Sequence, residues 1–199
     1  MTLLTLTLAA YLIGSVSFAV IVSRVFSLPD PRSYGSGNPG ATNVLRSGRR
    51  SAAALTLLGD VAKGWLAVFL AGSFAGAEMI EATESAAAVA VVVGHMYPVF
   101  HRFQGGKGVA TVLGVLTGLN LYLAAGALAT WLIIAFFFRI ASLASLVSAV
   151  FAPFFCFLLY GLHVFTAAVA LIAPLIIYRH RSNIRNLLAG TESRLGSRS

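Results

Sequence analysis

Residues 109–138, VATVLGVLTGLNLYLAAGALATWLIIAFFF, run for thirty positions without a charge. As one helix they would be ~45 Å long, against a bilayer core of ~30 Å. Broken near Gly118-Leu119-Asn120, they make two short crossings instead. The flanking charges separate these readings. Lys107 precedes the run and Arg139 follows it. Lysine and arginine gather on the cytoplasmic side of membrane proteins, so an even number of crossings must lie between them. The run is therefore expected to divide.

Working outward, further apolar runs fall at about 3–26, 51–77, 85–100, 140–159 and 164–178. With the central run split, the expectation is an all-α polytopic membrane bundle of seven transmembrane helices. Residues 1–199 form one domain, with the N-terminus outside and the C-terminus cytoplasmic. All 14 Lys and Arg residues then share one side: they lie in or beside 24–63, 101–107, Arg139 and the tail from Arg179. Glu78, Glu81 and Glu84 occupy a linker with no basic residue, read as an outer loop. With 58% hydrophobic and 10% charged residues and a mean hydropathy of +0.88, the composition is that of an integral membrane protein. The net charge of +8 suits membrane lipids or anionic substrates, not nucleic acid. No basic segment precedes the first run, so it reads as a retained helix, not a signal peptide. Cys156 is the only cysteine, which excludes an intramolecular disulfide.

On this topology three polar segments converge on the cytoplasmic face. The first, Gly35-Ser36-Gly37-Asn38-Pro39-Gly40-Ala41-Thr42-Asn43, leads to Arg46. Glycines let backbone N–H groups turn toward an anion, while hydroxyls and a guanidinium complete a phosphate cradle. The second, Gly105-Gly106-Lys107-Gly108, opens onto a helix, where free N–H groups and the positive dipole end favour an anion. Its spacing is not that of a Walker loop. The third runs from Arg179 to Glu192; if helical, it sets His180 and Asn183 at i and i+3 on one face.

Asp60 and Lys63 lie near the start of the second helix, each at ~2.5–3.5 kcal/mol if unpaired in a bilayer. They read as a structural pair behind the site. His95 reads as a packing or hydrogen-bonding residue. No histidine has carboxylates at metal-ligand spacing, so neither metal nor other cofactor is expected.

These segments resemble the bacterial acyl-phosphate:glycerol-3-phosphate acyltransferases of the PlsY type. The resemblance rests on residues 36–46, 105–111, 179–184 and 190–192, with Asp60, Lys63-Gly64, Gly94-His95, Pro98 and Ser142-Leu143 as further matches. In one departure, Asn186 stands where the family commonly has arginine, with Arg185 one place earlier. The resemblance implies a bacterial inner-membrane enzyme of phospholipid biosynthesis. The C1 hydroxyl of sn-glycerol 3-phosphate would attack a long-chain acyl phosphate, giving 1-acyl-glycerol 3-phosphate (lysophosphatidic acid) and inorganic phosphate. It also implies coupling to an enzyme that produces acyl phosphate.

In that frame Ser36, Thr42 and Ser142, with the N–H groups of Gly37, Asn38, Gly40 and Asn43, would hold the acyl phosphate. Arg46, Lys107, His180 and Asn183 would hold glycerol 3-phosphate. Gly105, Gly106, Gly108, Arg179 and Arg181 would add donors and charge, and Glu192 would orient the tail arginines. The proton acceptor is either His180 or an oxygen of the acyl phosphate itself. Rival chemistries lack their parts: no histidine has Asp five residues on, as acyl-CoA enzymes of the His-x4-Asp type require. Asp30 and Asp60 are the only aspartates, too few for a metal-dependent phosphatidyl-alcohol transferase. Polar groups gathered at one face disfavour a transport path.

Overall fold

An apolar helix closes its own backbone hydrogen bonds, which is what lipid demands, and no strand occurs among the described residues. The computed structural model describes residues 1–196. Its α-helices are α1 (Leu3–Ser15), α2 (Phe18–Val25), α3 (Ala41–Leu45), α4 (Arg50–Phe74) and α5 (Ile80–Met96). They continue as α6 (Val109–Leu119), α7 (Leu121–Phe138), α8 (Ala141–Tyr160), α9 (Val164–Arg179) and α10 (Arg181–Leu188).

Size is sorted in reverse of a water-soluble bundle. Phe136 and Phe137 are 78% and 74% exposed, while the interior is built largely from alanine and valine such as Ala87, Ala88 and Val91. Small residues let backbones approach closely where lipid supplies no hydrophobic drive between helices. Gly14 lies against the Val91 backbone and Gly94 against that of Tyr11, joining α1 to α5. Gly64 and Gly114 do the same between α4 and α6, and a β-carbon at any of the four would overlap a carbonyl.

Among the described residues, five segments are long and apolar enough to cross a membrane: Leu3–Val25, Arg50–Phe74, Ala77–His101, Leu121–Phe138 and Ala141–Tyr160. Helices α9 and α10, bent by 60° at His180, make a sixth if the pair is one span. At 11 residues, α6 is ~16 Å long, about half a hydrocarbon core.

The central run divides where its composition suggested. Asn120 separates α6 from α7, accepting on Oδ1 from the N–H groups of Tyr122 (2.8 Å) and Leu123 (3.2 Å). Its Nδ2 donates to the Tyr160 hydroxyl of α8 at 2.9 Å. The far ends confirm the return. Leu195 N–H donates to Arg139 O at 2.6 Å, and Glu192, three residues before Leu195, shares a hydrogen-bond chain with Lys107. A straight thirty-residue helix would hold Lys107 and Arg139 ~45 Å apart.

Two details differ from expectation. The first run is interrupted at Val16-Ser17, and Lys63 Nζ donates to the carbonyls exposed there, Gly14 O at 2.9 Å and Val16 O at 2.7 Å. Asp60 and Lys63 are not near the start of α4 but about ten residues in, ~15 Å along it. There they pair at 3.0 Å, and His95 Nδ1 lies 3.5 Å from the same Asp60 oxygen. The ammonium thus answers both a buried carboxylate and a broken helix end.

Candidate active site

The loop between α2 and α4 is held from within. Arg32 pairs with Asp30 at 2.6 Å, and that side-chain hydrogen bond holds the Asp30 carboxyl down at about 2. Asn43, 2% exposed, is the hub. Its Oδ1 accepts the Ser36 N–H at 3.0 Å, and its Nδ2 donates to Pro31 O at 2.7 Å and Tyr34 O at 3.1 Å. Gly35 (φ +58°) and Gly37 (φ +66°) supply the left-handed turns that wrap the chain around this amide. Ser36 and Thr42 are left exposed at the wall of a cavity that Asn38 and Gly40 also line.

The glycine-lysine loop does something other than cradle an anion along its length. Gly105 and Gly106 are buried against His95, whose carbonyl accepts the Gly106 N–H at 3.1 Å. Their own carbonyls accept from Arg179, Gly105 O from Nη2 at 2.7 Å and Gly106 O from Nε at 3.1 Å. The Arg179 guanidinium also lies 5.2 Å from the Tyr97 ring centroid. Arg179 therefore braces this loop, and none of Gly105, Gly106 and Arg179 lines the cavity. Gly37 is also outside the wall, and Arg181 stacks 4.9 Å over Tyr178. Gly108, Val109 and Ala110 do line it, so the positive end of α6 borders the cavity.

A chain of side-chain hydrogen bonds joins the second and third polar segments to α8, and a separate bond ties the first to the C-terminal segment. Lys107 Nζ donates to Asn183 Oδ1. Asn183 Nδ2 donates to Glu192 Oε1 at 2.6 Å, and Ser142 Oγ donates to the same oxygen at 2.7 Å. Arg46 Nη2 reaches Ser193 Oγ at 2.7 Å. Glu192 thus holds both Asn183 and Ser142 through one carboxylate oxygen. Burial lowers the Lys107 ammonium pKa below the ordinary lysine range, partly opposed by Glu192. His180 occupies the bend between α9 and α10, so it shares the site with Asn183 without sharing a helix. It is 2% exposed, with Nδ1 2.8 Å from Ile176 O. A carbonyl only accepts, so Nδ1 carries the proton and Nε2 keeps a lone pair.

These groups surround one cavity of about 1220 Å³. Its mouth is polar: Ser36, Thr42, Arg46, Lys107, Ser142, His180, Asn183 and Glu192 all line it. Inward it becomes apolar, walled by Val112, Leu113 and Leu116 of α6, Leu128 and Trp131 of α7, and Ala149 and Ala152 of α8. Arg50, Asp60, His95 and Asn186 also contribute. Sequence reasoning set Asn186 aside, although it lies one turn from Asn183, a spacing that could have found it. His95 reads from sequence as a packing or hydrogen-bonding residue; that its partner is Asp60 depends on a fold-level contact between α4 and α5.

Known proteins can be set beside this geometry. Residues 4–190 match the family model described as glycerol-3-phosphate acyltransferase. The chain is 61% identical over 196 residues to a glycerol-3-phosphate acyltransferase of Cupriavidus necator, covering 98% of this chain and 97% of that one. One from Ralstonia pickettii is 64% identical over 192 residues, covering 96% and 93%. The fold is similar to a crystal structure of PlsY, an integral membrane glycerol 3-phosphate acyltransferase, in its glycerol 3-phosphate form. The TM-score is 0.90 at 37% identity, covering 98% of this chain and 96% of that one. A structure of its lysophosphatidic acid form gives 0.89 at 36% identity, covering 98% and 95%.

Proposed function

The chain belongs to the glycerol-3-phosphate acyltransferase family, and we propose that its donor is an acyl phosphate, its product 1-acyl-glycerol 3-phosphate and its site cytoplasmic. One observation carries this reading: a single cavity joins a cationic, hydroxyl-lined mouth to an apolar slot. Glycerol 3-phosphate is small, charged and needs only the mouth. The slot fits an alkyl tail, and a membrane setting lets that tail come from the bilayer without crossing water. The topology that suits this is seven crossings of the bacterial inner membrane, with α6 as the short one and the N-terminus outside.

The chemistry then follows from the donor. An acyl phosphate is a mixed anhydride, so its phosphate leaves readily and proximity with charge stabilisation suffices. Arg46 and Lys107 would hold the glycerol 3-phosphate dianion, with His180 and Asn183 orienting its free hydroxyls. Ser36, Thr42 and Ser142 would hold the acyl phosphate. The C1 oxygen bonds to the carbonyl carbon as the carbon–oxygen bond to phosphate breaks and the electron pair departs with phosphate. The hydroxyl proton goes either to His180 Nε2, whose lone pair suits a general base, or to an oxygen of the departing phosphate.

The test is a donor comparison on purified protein. Inorganic phosphate and lysophosphatidic acid should appear in equal amounts from acyl phosphate and glycerol 3-phosphate. Turnover with acyl-CoA alone would overturn the donor assignment. Because acyl phosphates hydrolyse readily, an enzyme that makes them is the natural supplier.

A further inference from the structure

The slot has a definite end. Along α8 it runs from Ser142 to Ala152, ~15 Å at 1.5 Å per residue. Below that level the bundle closes: Leu123 of α7 and Cys156 of α8 are both 0% exposed and belong to the same buried cluster as Leu116 and Ala152. The walls are also fixed in width. Trp131 Nε1 donates to Ser145 Oγ at 3.1 Å, and Ser148 Oγ donates to Ala127 O at 2.6 Å, stapling α7 to α8 at two depths. A slot with stapled walls and a packed floor measures what enters it.

We propose that Leu116 and Ala152 form the floor against which the methyl end of the acyl tail stops, and so set chain-length preference. This rests on the acyl-transfer reading above. A pocket discriminates a single methylene by ~10-fold or more, so one side chain at the floor should move the whole profile.

The experiment measures kcat/KM for decanoyl, lauroyl, palmitoyl and stearoyl phosphates with the full chain in detergent. Ala152→Leu raises the floor, so the stearoyl value should fall ~10-fold or more relative to decanoyl. Leu116→Ala lowers it and should shift preference toward longer donors. KM for glycerol 3-phosphate should stay unchanged in both, and thermal unfolding reports whether each variant is intact. If Ala152→Leu fails to fold, Leu116→Ala decides alone. Equal effects on every donor in an intact protein would overturn the proposal, the tail then leaving sideways past the exposed Leu57 and Leu132. Should the unmodified chain use acyl-CoA in place of acyl phosphate, the donor assignment falls separately. The same shift, read with CoA thioesters, would still support or sink the floor.

Discussion

Lys107 is the residue on which the site's electrostatics turn. It is a half-buried ammonium whose pKa burial lowers, bonded to Asn183 and set at the positive end of α6. The proposed role needs the charged form. As pH rises through a depressed pKa the charge is lost, so kcat/KM should decline at a pH below that of an ordinary lysine. Lys107→Arg should push this alkaline limb upward, since guanidinium stays protonated, while Lys107→Ala should lose ~100-fold or more. A pH–rate profile of the three proteins checks both. Glu192 makes a second prediction because it binds Asn183 and Ser142 through one oxygen. Glu192→Ala and Ser142→Ala should each lower kcat, yet the double variant should fall short of their sum by ~1 kcal/mol or more. Residue types at this scale were legible as far as position: hydroxyls, cations and an amide singled out in the loops do line one cavity. Partnership was not. Arg179 looks like a phosphate ligand in the chain, and only the fold shows its donors turned to carbonyls more than seventy residues away.

At the scale of elements, polar side chains hold the breaks in the helices. Asn120 caps α7 and reaches α8, so Asn120→Ala should cost about 1 kcal/mol for the cap and loosen the corner between α6 and α7. Lower thermal stability in detergent, with activity kept at low temperature, is the expected result. The other break, at Val16-Ser17, depends on Lys63. Lys63→Met would leave the buried Asp60 with only His95 beside it, a loss of up to ~3–5 kcal/mol where a buried pair is broken. Asp60→Asn with Lys63→Met should be less damaged than Lys63→Met alone, because no lone charge remains. The first break was readable because charge on both sides of an overlong run demanded it. The second was not, since no charge lies between residues 3 and 23 to mark it and its stabilising lysine is donated by another helix.

Across the whole molecule, the proposed function depends on three distant segments meeting at one end of the bundle. The hydrogen-bond chain from Lys107 through Asn183 and Glu192 to Ser142 requires that the loop before α6, α10, the C-terminal segment and the start of α8 share a side. Glu78 lies in the turn between α4 and α5, at the end of α4 away from Arg50. The proposed orientation, with the basic end cytoplasmic, rests on the positive-inside bias of the sequence. Single cysteines can test it, because native Cys156 is fully buried and gives little background labelling. Cysteines replacing Ser36 and Ser193, both exposed, should be silent to a membrane-impermeant maleimide in intact cells and react after permeabilisation. A cysteine at Glu78 should react without permeabilisation. If positions 36 and 78 label from the same side, α4 does not cross, and the phosphate site cannot assemble as drawn. If 36 labels only from outside, the bundle stands but its orientation inverts, and a cytoplasmic pool of glycerol 3-phosphate could not supply it.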